Sequence, residues 1–136
     1  MADYSMGHAC TVSIGGTNMA VNSCGLKKTG THLERPGNVI LDQELNPAGL
    51  AAFTAWANAG SAHGCQMWMQ ISHPGRQTQK RVNPAPKSAS EIGLNLPGGR
   101  FARPAPLHPD EIESLIARYA AAARQARACG FSGVQI

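Results

Sequence analysis

An α/β fold with parallel strands is predicted by three features of the sequence. Apolar residues recur at helical spacing between Asn46 and Gly60, alternate strictly from Cys65 to Ser72, and return to helical spacing between Pro109 and Gly130. Helix, short link, strand, helix and a last apolar run, in that order, make an αβ rhythm in which crossover helices join parallel strands. The 136 residues are the size of one modest domain, and 43% hydrophobic with 15% charged residues is too apolar and too weakly charged for a disordered chain. The longest apolar runs stop well short of the roughly 20 residues that cross a membrane, so no membrane association is expected.

Residues 1–31 are rich in Gly, Ser, Thr and Asn. Their short apolar pieces, 11–14 and 19–21, are separated by Gly15-Gly16 and bounded by Asn22, which fits weak strands and disorder equally well. Arg35-Pro36-Gly37-Asn38 reads as a turn, and Val39-Ile40-Leu41 as a short apolar stretch closed by Asp42.

Asn46 as N-cap and Pro47 at the first helical position announce a helix over about 47–59. Leu50, Phe53, Thr54 and Ala57 recur at three and four, and Gly60 is expected to supply the left-handed residue that ends it. The strand 65–72 then places Cys65, Met67, Met69 and Ile71 on one face and Gln66, Trp68, Gln70 and Ser72 on the other. The oily face is what a layer of helices would cover.

His73-Pro74-Gly75-Arg76 ends that strand, and the roughly 34 residues to the next periodic pattern exceed the usual loop length. Pro84, Pro86, Pro97, Pro104 and Pro106 stiffen the loop, so it is expected to pack rather than float. In the second helix Pro109 takes the first position and Asp110, Glu111 and Glu113 suit the positive end of the dipole, with Arg124 and Arg127 near the negative end. Ile112, Leu115, Ile116, Tyr119, Ala123 and Ala126 form the expected apolar stripe. Gly130 closes the helix, and another strand begins at 131–136.

The balance of twelve basic and eight acidic residues gives +4 and a pI near 9.1, consistent with ordinary solubility. No run of five basic residues occurs, and Trp56, Trp68, Phe101 and Tyr119 are not interleaved with cations, so no nucleic acid partner is expected. Cys10, Cys24, Cys65 and Cys129 are widely spaced with no C-x-x-C, and Cys65 and Cys129 read as small buried hydrophobes. No metal site is expected. The N-terminus has neither a basic n-region nor an apolar h-region, so a cytoplasmic location is expected.

Gln70 sits on the polar face at the carboxyl end of its strand, the end where α/β sheets and barrels bind ligands. A primary amide offers one acceptor and two donors in a plane, matching a heterocycle edge of C=O, N–H and C=O such as the pyrimidine edge of a flavin; a Gln so placed can equally pair with backbone. His73 could act as acid, base or ligand and Arg76 could hold an anion, although a lone His before Pro-Gly also reads as a turn residue. His63 is an exposed loop candidate with no partner. No G-x-S-x-G, Walker or G-x-G-x-x-G motif is present, which removes acyl transfer, P-loop chemistry and Rossmann dinucleotide binding.

Four pieces in this order and spacing carry a family signature: Arg35-Pro36-Gly37-Asn38-Val39, the Trp68 to Gln77 segment with its Gln-x-x-His-x-Gly-Arg core, the turn Pro84-Ala85-Pro86-Lys87-Ser88, and the final Gly130-Phe131-Ser132-Gly133-Val134-Gln135-Ile136. Over about residues 31–136 the chain resembles the old yellow enzyme family of FMN-dependent NADH:flavin oxidoreductases. The resemblance implies a (β/α)8 TIM barrel with helices outside, of which this chain carries about strands 2–4; a complete barrel takes about 250 residues. It makes 65–72 the third barrel strand, puts Val134 in the fourth, matches Gln70 to the Gln that hydrogen-bonds the flavin pyrimidine, and sets His73 and Arg76 on the substrate-pocket rim. The implied cofactor is FMN, the reductant NADH or NADPH, and the acceptor a small molecule with an activated alkene.

In the family the fourth strand runs on into a His-x-x-His or His-x-x-Asn pair, which would follow Ile136, and phosphate-binding loops come later still. No catalytic residue is therefore assigned in this chain, and it is expected to be an N-terminal fragment, an incomplete FMN-binding barrel inactive alone. Thr29-Gly30 reads as a remnant of the second strand's ending, and residues 1–30 as an atypical, weakly structured segment separate from the family part. The alternatives are a non-enzymatic fragment and an unrelated small α/β binding module in which Gln70 and Arg76 hold another ligand.

Overall fold

A parallel sheet is built around the alternating segment. The computed structural model describes residues 33, 38–41 and 44–136, together with the backbone of two short strands at 11–13 and 19–20. These are β1 (Thr11–Ser13) and β2 (Met19–Ala20), and both run parallel to β3 (Gln66–Ser72). The apolar pieces left open between strand and disorder thus contain strands. Thr29-Gly30, the proposed strand ending, lies outside the described residues, as do Arg35 to Gly37 of the expected turn and Asp42.

Two helices link the strands. The order continues with α1 (Pro47–Gly60), β3, two short strands within the long loop, β4 (Lys87–Ser88) and β5 (Ala105–Pro106), then α2 (Pro109–Ala128) and β6 (Gly133–Gln135). β6 is parallel to β3 with Trp68 opposite Gly133, Met69 opposite Val134 and Gln70 opposite Gln135. Because Trp68 is also in register with Ser13, β1 and β6 flank β3 on opposite edges. Among the described strands, β1, β2, β3 and β6 form one open parallel sheet, and β4 and β5 form a separate pair.

The expected alternation decides the layers. Met67, Met69 and Ile71 are buried and meet Phe53 and Ala57 of α1, Ala122 and Ala126 of α2, and Leu41, Cys129 and Phe131 in one core. Burying a Met or Ile side chain contributes about 1.5–3 kcal/mol, so this one face of β3 outweighs any local propensity in holding the helices to the sheet. Cys129 is a core residue as expected, whereas Cys65 lies just before β3 and is half-buried.

At the start of α1 the Asn46 side chain accepts from the Gly49 N–H at 2.8 Å, satisfying a donor that has no intrahelical partner. Its end corrects the expectation for Gly60, which is the last helical residue and not a left-handed cap; the cap is Ser61, whose N–H and hydroxyl both donate to the Ala57 carbonyl. Glycine at position 60 leaves room for Met67: a Cβ there would lie 1.5 Å from the Met67 sulfur, so that side chain would have to shift. The chain reverses instead through His63 at φ +60° and Gly64 at φ +80°.

The long loop packs, as its prolines suggested. After a 3-10 turn at Gly75–Gln77, Thr78, Pro86, Ala102 and Pro104 are buried, and β4 and β5 pair in parallel with the Ala105 and Leu107 N–H groups donating to Pro86 and Ser88 carbonyls at 2.8 Å. Gly75, at φ +53°, sits where a Cβ would be 3.2 Å from the Ser88 hydroxyl, which seats the turn on β4.

In α2 the Glu111 carboxylate accepts from the His108 N–H at 2.7 Å and from Lys87 Nζ at 3.1 Å, so one side chain caps the helix and ties it to β4. The buried stripe differs from the expected one. Ile112 and Ile116 are 43% and 56% exposed, and Leu115, Tyr119, Ala122, Ala126 and Cys129 face the core. Those positions follow one another at three and four, leaving Ile116 one step round the helix, and their alanines let α2 approach β3 closely. Gly130 closes the helix at φ +91° as expected. Ser132 then stitches β6 to β3, its N–H donating to the Met67 carbonyl at 2.8 Å and its hydroxyl accepting from the Met67 N–H at 3.0 Å.

Candidate functional site

Along the face of β3 turned away from the helices, the order from amino to carboxyl end is Gln66, Trp68, Gln70 and Ser72. Gln66 and Trp68 are exposed, and the Gln66 side-chain oxygen accepts from the Trp68 indole N–H at 3.2 Å. The Trp68 ring lies over Gly133 of the neighbouring strand, where any Cβ would fall 2.6–2.9 Å from ring carbons. Above this platform Gln70 is half-buried and in register with the exposed Gln135, and side chains in register on parallel neighbours share a face. Two primary amides therefore stand side by side at the carboxyl end of the sheet.

Among the described residues the Gln70 amide makes no hydrogen bond, so the alternative in which it serves the backbone is not realised there. It lies on the face of β3 opposite the core, two residues before the strand ends at the root of the long loop.

His73 and Arg76, the other two residues singled out from sequence, follow at the same end. His73 is half-buried and its backbone is hydrogen-bonded to the Tyr119 phenol on α2. Burial pushes the Tyr119 hydroxyl above its usual pKa of 10.0, and the His73 backbone contact opposes that rise. Arg76 is exposed on the 3-10 turn. Gln70, Ser72, His73 and Arg76 are thus gathered by one strand end and one turn, with Gln70 on the sheet face and Arg76 at the rim. His63 is exposed on the turn before β3, at the opposite end of that strand.

From sequence, Tyr119 is only a member of the expected apolar stripe. The signal that it does more was its hydroxyl, because a phenol inside an aliphatic stripe has to find a polar partner. Among the described residues no group of three His, Cys, Asp or Glu could hold a metal ion, and no described helix is long and apolar enough to cross a membrane.

The NADH:flavin oxidoreductase / NADH oxidase family model matches residues 4–136. The chain is 35% identical over 109 residues to an NADH-dependent flavin oxidoreductase of Aspergillus parasiticus, covering 77% of this chain and 24% of that protein. Its fold is similar to that of an old yellow enzyme homologue from Zymomonas mobilis, at 25% identity and a TM-score of 0.65, with 88% of this chain and 33% of that one covered. It is also similar to morphinone reductase in complex with tetrahydroNAD, at 20% identity and a TM-score of 0.64 over 86% of this chain and 34% of that one. The chain spans about a quarter of the length of the curated relative and about a third of the solved chains.

The family match begins at residue 4 and so runs through the segment 1–30 that the sequence reading sets apart. β1 and β2 lie in that segment, and both pair with β3. The family's cofactor is FMN. The donor set at the carboxyl end of β3 fits it: a planar amide with both donor and acceptor, without a hydrogen bond among the described residues and half-buried beside a second amide, is complementary to a ring edge that alternates C=O and N–H.

Proposed function

Because the chain belongs to the NADH:flavin oxidoreductase / NADH oxidase family, we propose that it forms the flavin-contacting part of an FMN-dependent oxidoreductase. The reaction carries hydride from NADH or NADPH to a small acceptor with an activated alkene or a similar group. FMN, when bound, supplies the hydride relay. The chain's own residues supply orientation and electrostatics. Gln70 would hold the pyrimidine edge, its amide N–H donating to a ring carbonyl oxygen and its carbonyl accepting from the ring N–H. A donor fixed at those oxygens favours the electron-rich form, because it needs no reorganisation as charge builds up there.

His73 and Arg76 form the rim. The Tyr119 contact holds the His73 backbone against α2, which fixes where the strand ends and the loop departs. Arg76 presents a permanent cation at the mouth and would attract an acceptor bearing a carboxylate. A cytoplasmic setting belongs to the same reading, since NADH and NADPH are intracellular reductants.

The observation that carries the reading is the half-buried Gln70 amide at the carboxyl end of a parallel strand, with no hydrogen bond among the described residues. The test is FMN retention after desalting, read as flavin absorbance, for the chain with and without a separately produced piece of the Aspergillus relative carrying the remainder of that protein. Flavin should be retained in at least one condition and lost in Gln70→Leu at unchanged far-UV circular dichroism. No retention in either condition, or retention indifferent to Gln70→Leu, would overturn the proposal.

A further inference from the structure

The long loop carries a charge distribution that the rest of the chain does not share. Between residues 73 and 108 lie six of the twelve basic residues and one of the eight acidic residues, so this loop alone holds more net positive charge than the whole chain. Two of the six are neutralised locally: Lys87 pairs with Glu111 at 3.1 Å and Arg103 with Glu91 at 3.1 Å. Lys80, Arg81 and Arg100 have no carboxylate partner among the described residues. With Gln79 they line one open pocket of about 420 Å³.

The backbone holds these cations together independently of their side chains. Gln79 and Phe101 form an antiparallel bridge, and the Lys80 N–H donates to the Arg100 carbonyl at 2.8 Å. The Val82 and Asn83 N–H groups both donate to the Gln79 carbonyl, at 2.9 and 3.0 Å, which winds Lys80 and Arg81 into a tight turn. Opposite them, Gly98 and Gly99 at φ +86° and +56° reverse the chain just before Arg100. Three like charges around one cavity repel, so an arrangement that fixes them there is stabilised by whatever anion neutralises them. Two guanidinium groups and an ammonium beside a Gln amide offer fork and point donors together, the set that suits a phosphate oxyanion. The pocket's size also fits one phosphate-bearing group of a ligand and is too small for a whole dinucleotide buried on all sides.

We infer that the pocket lined by Gln79, Lys80, Arg81 and Arg100 is a phosphate-binding subsite, and that its occupant is the pyrophosphate of the nicotinamide dinucleotide reductant. The assignment of that source rests on the proposed function; the phosphate site itself does not. The loop that carries the subsite springs from the carboxyl end of β3, the end at which Gln70 lies.

The experiment is calorimetric titration of the full chain at low salt with inorganic pyrophosphate, then with NADH and NADPH in competition. Two double variants are compared. Lys80→Gln with Arg100→Gln removes two pocket cations and leaves the backbone bond between them; Arg124→Gln with Arg127→Gln removes the same charge from α2. Pyrophosphate should saturate one site, with Kd raised about tenfold or more in the first variant and less than about twofold in the second. NADH and NADPH should displace it. Equal weakening in both variants, or no saturable binding, overturns the subsite; binding that neither dinucleotide displaces overturns the assignment of the reductant as its source. Flavin retention by the pocket variant separates the two proposals, since loss of the Gln70 site leaves pyrophosphate binding intact and loss of the pocket leaves FMN retention intact.

Discussion

Replacing Gly60 by alanine tests the contact that sets α1 on the sheet. Helix propensity alone favours the change by about 0.8–1 kcal/mol, because glycine is a poor helix residue and position 60 is the last of α1. The structure reverses that sign. The new methyl would lie 1.5 Å from the Met67 sulfur, 2.9 Å from its terminal carbon and 3.0 Å from its γ carbon. Met67 is a flexible side chain, but at 2% exposure it is enclosed by the core, so moving it disturbs its neighbours. Overpacking of this kind costs about 1–3 kcal/mol, so Gly60→Ala should destabilise the chain by up to roughly 2 kcal/mol net. Urea unfolding followed by far-UV circular dichroism measures it. A double-mutant cycle sharpens the result: Met67→Ala alone should cost about 2–5 kcal/mol, and in that background Gly60→Ala should become stabilising, since the clash is gone and the methyl fills part of the cavity. An increase in stability for Gly60→Ala in the wild-type background would refute the packing argument.

Three further outcomes are expected. Gly133→Val should destabilise by roughly 2–3 kcal/mol and shift the tryptophan emission, because its side chain would enter the space of the Trp68 ring; urea unfolding and fluorescence read both. Tyr119 is held above pKa 10.0 in the folded chain, so the folded state keeps a proton that the unfolded state loses; stability should fall as pH rises above about 10, and Tyr119→Phe should flatten that fall in urea midpoints measured across the range. Glu111→Gln should cost about 1 kcal/mol, chiefly by weakening the cap on α2, since the Lys87 pair is partly exposed and contributes little; thermal unfolding with and without added salt separates the two parts.

The helices, the central strand and its two faces were legible because each is written in local periodicity, and Met67, Met69 and Ile71 turn inward as the alternation requires. Gln70 was legible for the same reason: a strand's period places a side chain on a face, and the strand's end places it beside a loop. The details that escaped depend on contacts far apart in sequence. Gly60 looks like a helix stop until Met67 is seen behind it, and Ile116 looks like core until the alanines of α2 meet the sheet. The pocket of Lys80, Arg81 and Arg100 could not be read from spacing, because Arg100 reaches it through the bridge between Gln79 and Phe101. The strands β1 and β2 were hidden by their length of three and two residues, too short for any periodicity to declare itself.

The central claim is that the carboxyl end of β3 meets the flavin through Gln70. It is tested most directly by titrating FMN into the nitrogen-labelled chain and following the Gln70 side-chain amide by nuclear magnetic resonance. Saturable shifts of that amide and of the backbone amides from Ser72 to Arg76, absent in Gln70→Leu, are the predicted result. Shifts confined to other parts of the chain, or none at all, would contradict it.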